Sequence, residues 1–197
     1  MIDLPSLKAS LYGLLPIAAT YCATSALGLL LFCVLHRSPL FEQNDILFYR
    51  GVMLASVTTL LLIASLAACS AWLSINAATV IGAAATSLSL NLCFLVLVPV
   101  TIDRSISVFL LARIEGRSGT LDAQALDALF RREYLGDMAQ IDRRVAEQAK
   151  SGNIRVGRDG TIVITPQGRI FLRFSRVIAK GFGTDPRFVQ PQPGDVE

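Results

Sequence analysis

Charge is almost missing from the first half of this 197-residue chain, where residues 1–102 hold only Asp3, Lys8, Arg37, Glu42, Asp45 and Arg50. No Asp, Glu, Lys or Arg lies between Lys8 and His36, nor from Gly51 to Ile102. About a quarter of a soluble domain is charged, so this half is too apolar to be one. Histidine is nearly missing as well, with His36 standing alone at the edge of an apolar stretch. The four cysteines, Cys22, Cys33, Cys69 and Cys93, fit no metal-ligand spacing and read as small apolar residues. Glycine-rich phosphate loops, dinucleotide fingerprints and H-E-x-x-H are all missing. The expectation is a chain that is not an enzyme, with no cofactor and no metal. Spans without an ionisable group also argue against a transport pathway within this chain alone.

What is present is long apolar sequence. A helix needs about 20 apolar residues to cross a hydrocarbon core roughly 30 Å thick. The first uncharged stretch fits one crossing. The second is too long for one and is broken by the polar run Ser70-Ala-Trp-Leu-Ser-Ile-Asn76. Three spans follow, at about 10–35, 51–72 and 77–101, with Tyr49 and Trp72 at headgroup level. The first span is longer than the apolar core of a secretory signal and is read as a retained anchor. Arg37 and Arg50 lie in the first loop, the 70–76 turn has neither Lys nor Arg, and a basic segment follows the third span. The positive-inside rule then puts the amino terminus outside and the carboxy-terminal half in the cytoplasm, in a bacterial inner membrane.

Small residues recur every four positions in two spans: Ala18, Cys22 and Ala26 in the first, Ala83, Ser87 and Asn91 in the third. Such stripes let helices approach closely, and a buried amide bonds across the contact. They serve either the chain's own bundle or a partner's helices.

After Ile102 the pattern changes to short amphipathic segments. Arg104–Glu115 places Ile106, Phe109, Leu110 and Ile114 on one face. Thr120 is the expected N-cap of a helix over Leu121–Tyr134 with Leu126, Leu129 and Phe130 inward. Asp137 is expected to cap a third helix with Met138, Ile141, Val145 and Ala149 inward. Ile154–Val156 and Thr161–Ile164 alternate around a Gly-containing turn and predict a β-hairpin. Thr165-Pro166 opens a last helix to about Lys180, and residues 182–197 form a flexible tail. The expected fold class is therefore membrane α-helical, with a small α+β domain over 103–181.

The segments LDAQALDALF, IDRRVAEQAKSGNI, VGRDGTIVI and ITPQGR, in that order, resemble the winged-helix fold over about residues 104–180. The resemblance implies a module that binds DNA or another protein. DNA is disfavoured on charge, because Asp137, Asp142 and Glu147 cancel Arg143, Arg144 and Lys150 on the helix that would enter the major groove, and phosphate neutralisation dominates DNA affinity.

Two further surfaces stand out. Arg169, Arg173, Arg176 and Lys180 form a basic stripe beside an apolar one of Ile170, Phe174, Val177 and Ile178, which suits anionic lipid or an acidic partner. Asp103-Arg104-Ser105 at the end of the third span caps the next helix or meets a lipid headgroup. The expected role is a non-catalytic accessory or scaffolding subunit. Its expected partners are membrane lipids and an integral membrane protein or further copies of itself; an envelope-building enzyme such as a membrane glycosyltransferase is one partner of that kind. The alternatives are a membrane-bound transcriptional regulator and, third, a small lipid-processing enzyme.

Overall fold

The computed structural model describes the backbone of residues 4–117 and 119–190, with side chains from residue 14 onward apart from 71 and 73. The described residues are mostly helical and include one small two-stranded sheet. Contacts divide the chain into Met1–Val108 and Phe109–Glu197.

The first unit consists of α1 (Leu4–His36), α2 (Leu47–Leu73) and α3 (Ala77–Leu95), which runs through a widened π turn (Val96–Val100) into α4 (Thr101–Arg104). Among the described residues three segments are long and apolar enough to cross a membrane: Leu14–His36, Leu47–Ser70 and Ala77–Arg104. The second begins before the expected residue 51 and takes Arg50 into its first turn. The reason is that the guanidinium folds back, donating to the carbonyls of Ser38 (2.6 Å), Leu40 (3.2 Å) and His36 (3.4 Å). Arg50 thereby closes the carboxyl end of α1, whose last carbonyls have no intrahelical donor. The third span outruns residue 101 because Pro99, which cannot donate an N–H, sits in the widened turn and does not end the helix. Thr101 Oγ1 donates to the Val96 carbonyl (2.8 Å) within that turn.

Close approach holds this bundle together. A Cβ on Gly28 would collide with Ser87 Oγ, one on Gly82 with the Tyr21 hydroxyl, and one on Gly51 with Leu95. Below these contacts, Phe32, Leu54, Ala55, Leu95 and Val100 form a continuous buried cluster. The 70–76 turn is made by Ser74 in the left-handed region (φ 51°) and by Asn76, which caps α3 by accepting from Thr79 N–H (2.8 Å).

The second unit contains α6 (Ala123–Leu129), running on as a π-helical stretch (Phe130–Asp137), then α7 (Gln140–Lys150), the hairpin β1 (Ile154–Val156) and β2 (Ile162–Ile164), and α8 (Pro166–Gly181). Before them, α5 (Ile106–Gly116) contributes Phe109. Phe109 and Phe130 both pack on Tyr134, with centroids 5.1 and 5.0 Å away. Of the expected α5 face, Phe109 is buried whereas Ile106 and Ile114 are exposed. The strands pair antiparallel, Ile154 with Ile164 and Val156 with Ile162.

Several boundaries differ from expectation. Asp122, not Thr120, caps α6, accepting from Ala125 N–H at 2.7 Å. Asp137 caps nothing, because it ends the π stretch and Ala139, at φ 45°, takes the N-cap position of α7. That left-handed residue resets the helical phase. Gln140 and Glu147 are buried, while Met138 and Ile141, expected inward, are exposed. The expected tail from 182 includes a 3-10 turn at Pro186–Phe188, and its residues 191–197 lie outside the described residues.

Candidate functional site

The start of α8 is fixed by local polar contacts. Thr165 Oγ1 accepts from Gly168 N–H (3.0 Å) and donates to the Gly152 carbonyl (2.7 Å), and Gln167 Nε2 donates to Ser151 O (2.8 Å). Pro166 occupies the first turn, where no donor is needed. Gly168 is buried directly against the Asn153 carbonyl, so the helix lies on the turn that precedes the hairpin.

At 100° per residue the helix resolves into three faces. Gly168 and Ala179 are buried, with Leu172 and Ser175 half-buried beside them. Arg169, Arg173, Arg176 and Lys180 occupy the next arc, all exposed. The remaining arc carries Ile170, Phe171, Phe174, Val177 and Ile178, which are 43% to 69% exposed. Arg169 Nη1 donates to Ile164 O (3.2 Å) and Arg176 Nε to Val189 O (2.9 Å).

Charges on α7 are arranged differently. Arg144 Nη1 lies 2.8 Å from Glu147 Oε2, and Glu147 is buried. Arg143 is engaged as well. A second ion cluster surrounds Glu133, which accepts from Arg113 Nε (2.5 Å) and Arg132 Nη2 (2.9 Å), with Arg117 at 3.9 Å. The hydrogen bonds from Arg132 and Arg113 hold the Glu133 carboxyl below its ordinary range. The Arg113 guanidinium also stands 4.7 Å from the centre of the Phe109 ring.

The two small-residue stripes have different surroundings. Ala83, Ser87 and Asn91 are completely buried inside the bundle. Ala18, Cys22 and Ala26 are exposed, and the face of α1 turned inward is Thr24, Gly28 and Phe32. Asn91 was expected to bond across a helix contact; instead both of its amide atoms, and Ser87 Oγ, lack a hydrogen-bond partner. At the end of the third span, Ser105 Oγ accepts from Val108 N–H (3.1 Å) and so caps α5, while Asp103 and Arg104 both have partners.

Sequence reasoning missed the Arg50 clamp, the Glu133 cluster and the clamping role of Gly168. Gly168, three residues into a helix that Thr165 caps, was the one visible signal. Among the described residues no group of three His, Cys, Asp or Glu side chains is placed to hold a metal ion. No family model, no curated protein and no solved structure matches the chain.

Proposed function

We propose that this chain is a non-catalytic accessory or scaffolding subunit of a bacterial inner-membrane complex, anchored by α1–α3, with its second unit a winged-helix-like module on the cytoplasmic side. The observation that carries the reading is the double-faced α1. Its Thr24, Gly28 and Phe32 are used up by the chain's own bundle, whereas Ala18, Cys22 and Ala26 form a second close-approach stripe that remains open. An open stripe of small residues on a membrane helix suits a neighbouring helix, because backbones there approach closely. The order of α5 to α7, hairpin and α8 supports the winged-helix-like assignment, and Arg104, Arg113 and Arg117 after the third span, against a 70–76 turn with no Lys or Arg, support the orientation.

The test is co-purification of the full chain from its native membrane in mild detergent. A stoichiometric membrane protein, or a defined oligomer of this chain, is expected to be lost from the triple variant Ala18→Leu, Cys22→Leu, Ala26→Leu, with thermal stability kept because that face is exposed. A chain that purifies as a lone monomer, or an assembly indifferent to the variant, overturns the reading. The regulator alternative has less support, since Arg144 is held by Glu147 and Arg143 is engaged.

A further inference from the structure

Charge is divided unevenly within the second half of the chain. Residues 103–150 carry eight basic and eight acidic side chains, whereas 151–197 carry seven basic against four acidic, a net of +3. The two acids of that segment among the described residues, Asp159 and Asp185, are already satisfied. Asp159 accepts from Thr161 Oγ1 (2.7 Å), and Asp185 is paired with Arg187 (2.6 Å). Among the described residues the cations of α8 form no ion pair. Arg169 and Arg176 each spend one donor on a backbone carbonyl, and Arg173 and Lys180 have no hydrogen-bond or ion-pair partner among the described residues.

The apolar arc begins where the basic arc stops. Val177 and Ile170 border the cations, Phe174, Ile178 and Phe171 follow, and Phe182 continues the surface past the helix end at 83% exposed. Contiguous apolar surface with a charged rim marks a contact site and not ordinary solvent-facing surface. A wide apolar face flanked by Lys and Arg is the composition of a helix lying in the headgroup plane, sunk about 5–10 Å toward the acyl chains. An acidic protein groove would meet the same charge, but the chain itself supplies a bilayer. Three apolar helices precede this unit in the same polypeptide, so lipid contact is intramolecular and needs only modest intrinsic affinity.

We propose that α8 is a membrane-surface helix that docks on an anionic leaflet, with Ile170, Phe171, Phe174, Val177 and Ile178 at the acyl boundary and Arg173 and Lys180 on lipid phosphates. The inference rests on the membrane placement of α1–α3 and not on the identity of any protein partner. Each cation at an anionic surface raises the docked-to-undocked ratio roughly five-fold, and two of them roughly thirty-fold.

The test uses the full chain in lipid nanodiscs, with Trp72→Phe and Phe174→Trp so that the only indole lies on α8. Trp72 is the sole native tryptophan and Phe174 is exposed, so neither change disturbs the core. In discs with half phosphatidylglycerol, acyl-brominated lipid should quench the indole, and emission should shift to the blue. Quenching should fall sharply in phosphatidylcholine discs and in the Arg173→Gln, Lys180→Gln variant. Solvent-like emission in both lipids overturns the proposal. Blue-shifted emission that brominated lipid does not quench also overturns it, because protein then covers the face. Equal quenching in both lipids, unaffected by the charge variant, overturns the anionic part. Partner recovery is read separately, so a lost partner with retained quenching strikes only the accessory-subunit reading.

Discussion

In the membrane unit the contacts that decide the fold are made by the smallest groups, while in the second unit some of the largest apolar side chains are left uncovered. Gly28 receives Ser87, Gly82 receives Tyr21, and Gly51 receives Leu95. Leu60 and Leu97, by contrast, point outward at 66% and 71% exposure. Hydrocarbon solvates such residues as well as a protein core does, so bulk apolarity cannot specify which helix faces meet; closeness of fit and small residues do. Water imposes the opposite rule. Phe174 and Val177 on α8 are as exposed as those leucines, and on a water-facing unit such a face suits the lipid surface proposed above. The same degree of exposure is thus ordinary beside hydrocarbon and costly beside water.

The comparison breaks most sharply at glycine. Alanine at Gly168 would drive its Cβ into the Asn153 carbonyl, a backbone atom that also accepts from Thr165 N–H (3.0 Å) and so cannot yield easily. Gly168→Ala is expected to destabilise the second unit by about 3 kcal/mol, the upper part of the range for overpacking. Hydrogen exchange of the full chain in nanodiscs should show lost protection over the hairpin and α8. Gly28→Ala meets chiefly the rotatable Ser87 hydroxyl and the tip of Leu62, so its cost should be nearer 1 kcal/mol. If both substitutions cost the same, the difference between a rigid backbone neighbour and a yielding side chain is not what separates these sites.

A smaller effect of opposite sign is expected at Asn91. Its amide is completely buried and has no partner on either atom, and a buried polar group left unsatisfied costs about 1–3 kcal/mol. Asn91→Leu removes that penalty with a side chain of similar size. Thermal stability in detergent should rise, by about 1 kcal/mol once repacking around the branched side chain is included. A fall of similar size would show that the amide does bond within the bundle, as the stripe with Ala83 and Ser87 first suggests.

The spans were legible because charge is absent over two long stretches and the polar run 70–76 divides the second of them. Small and polar residues at four-residue spacing on a membrane helix mark a contact, and Ala83, Ser87 and Asn91 lie buried within the bundle. Which neighbour Ala18, Cys22 and Ala26 meet was not legible, because α1 carries a competing inward face in Thr24, Gly28 and Phe32. Arg50 reads as a topology marker, and only the path of the 36–46 loop shows that its side chain returns to cap α1. The α7 face was lost through accumulated phase. The π stretch and a left-handed Ala139 rotate the helix relative to any count begun at Asp137, turning Ile141 outward and Gln140 inward.

The smallest predicted effect concerns the ionic cluster that supplements the thin aromatic core of the second unit. Glu133 is held below its ordinary value by hydrogen bonds from Arg132 and then Arg113, with their charges adding to the effect. A carboxylate whose folded value is depressed contributes stability that is fully present above its unfolded value and is lost as pH falls through the folded one. The contribution of the cluster should therefore be constant at neutral pH and disappear on acidification below the ordinary carboxylate range. Ion pairs of this exposure are individually weak, so the shift is small and is best read as a difference. Thermal unfolding followed by the near-ultraviolet signal of Phe109, Phe130 and Tyr134 should separate wild type from Glu133→Gln at neutral pH, and the two curves should converge in acid. A gap that persists unchanged at acid pH would mean that Glu133 acts through its shape and packing beside Tyr134, and that the arginines around it contribute nothing to holding the unit together.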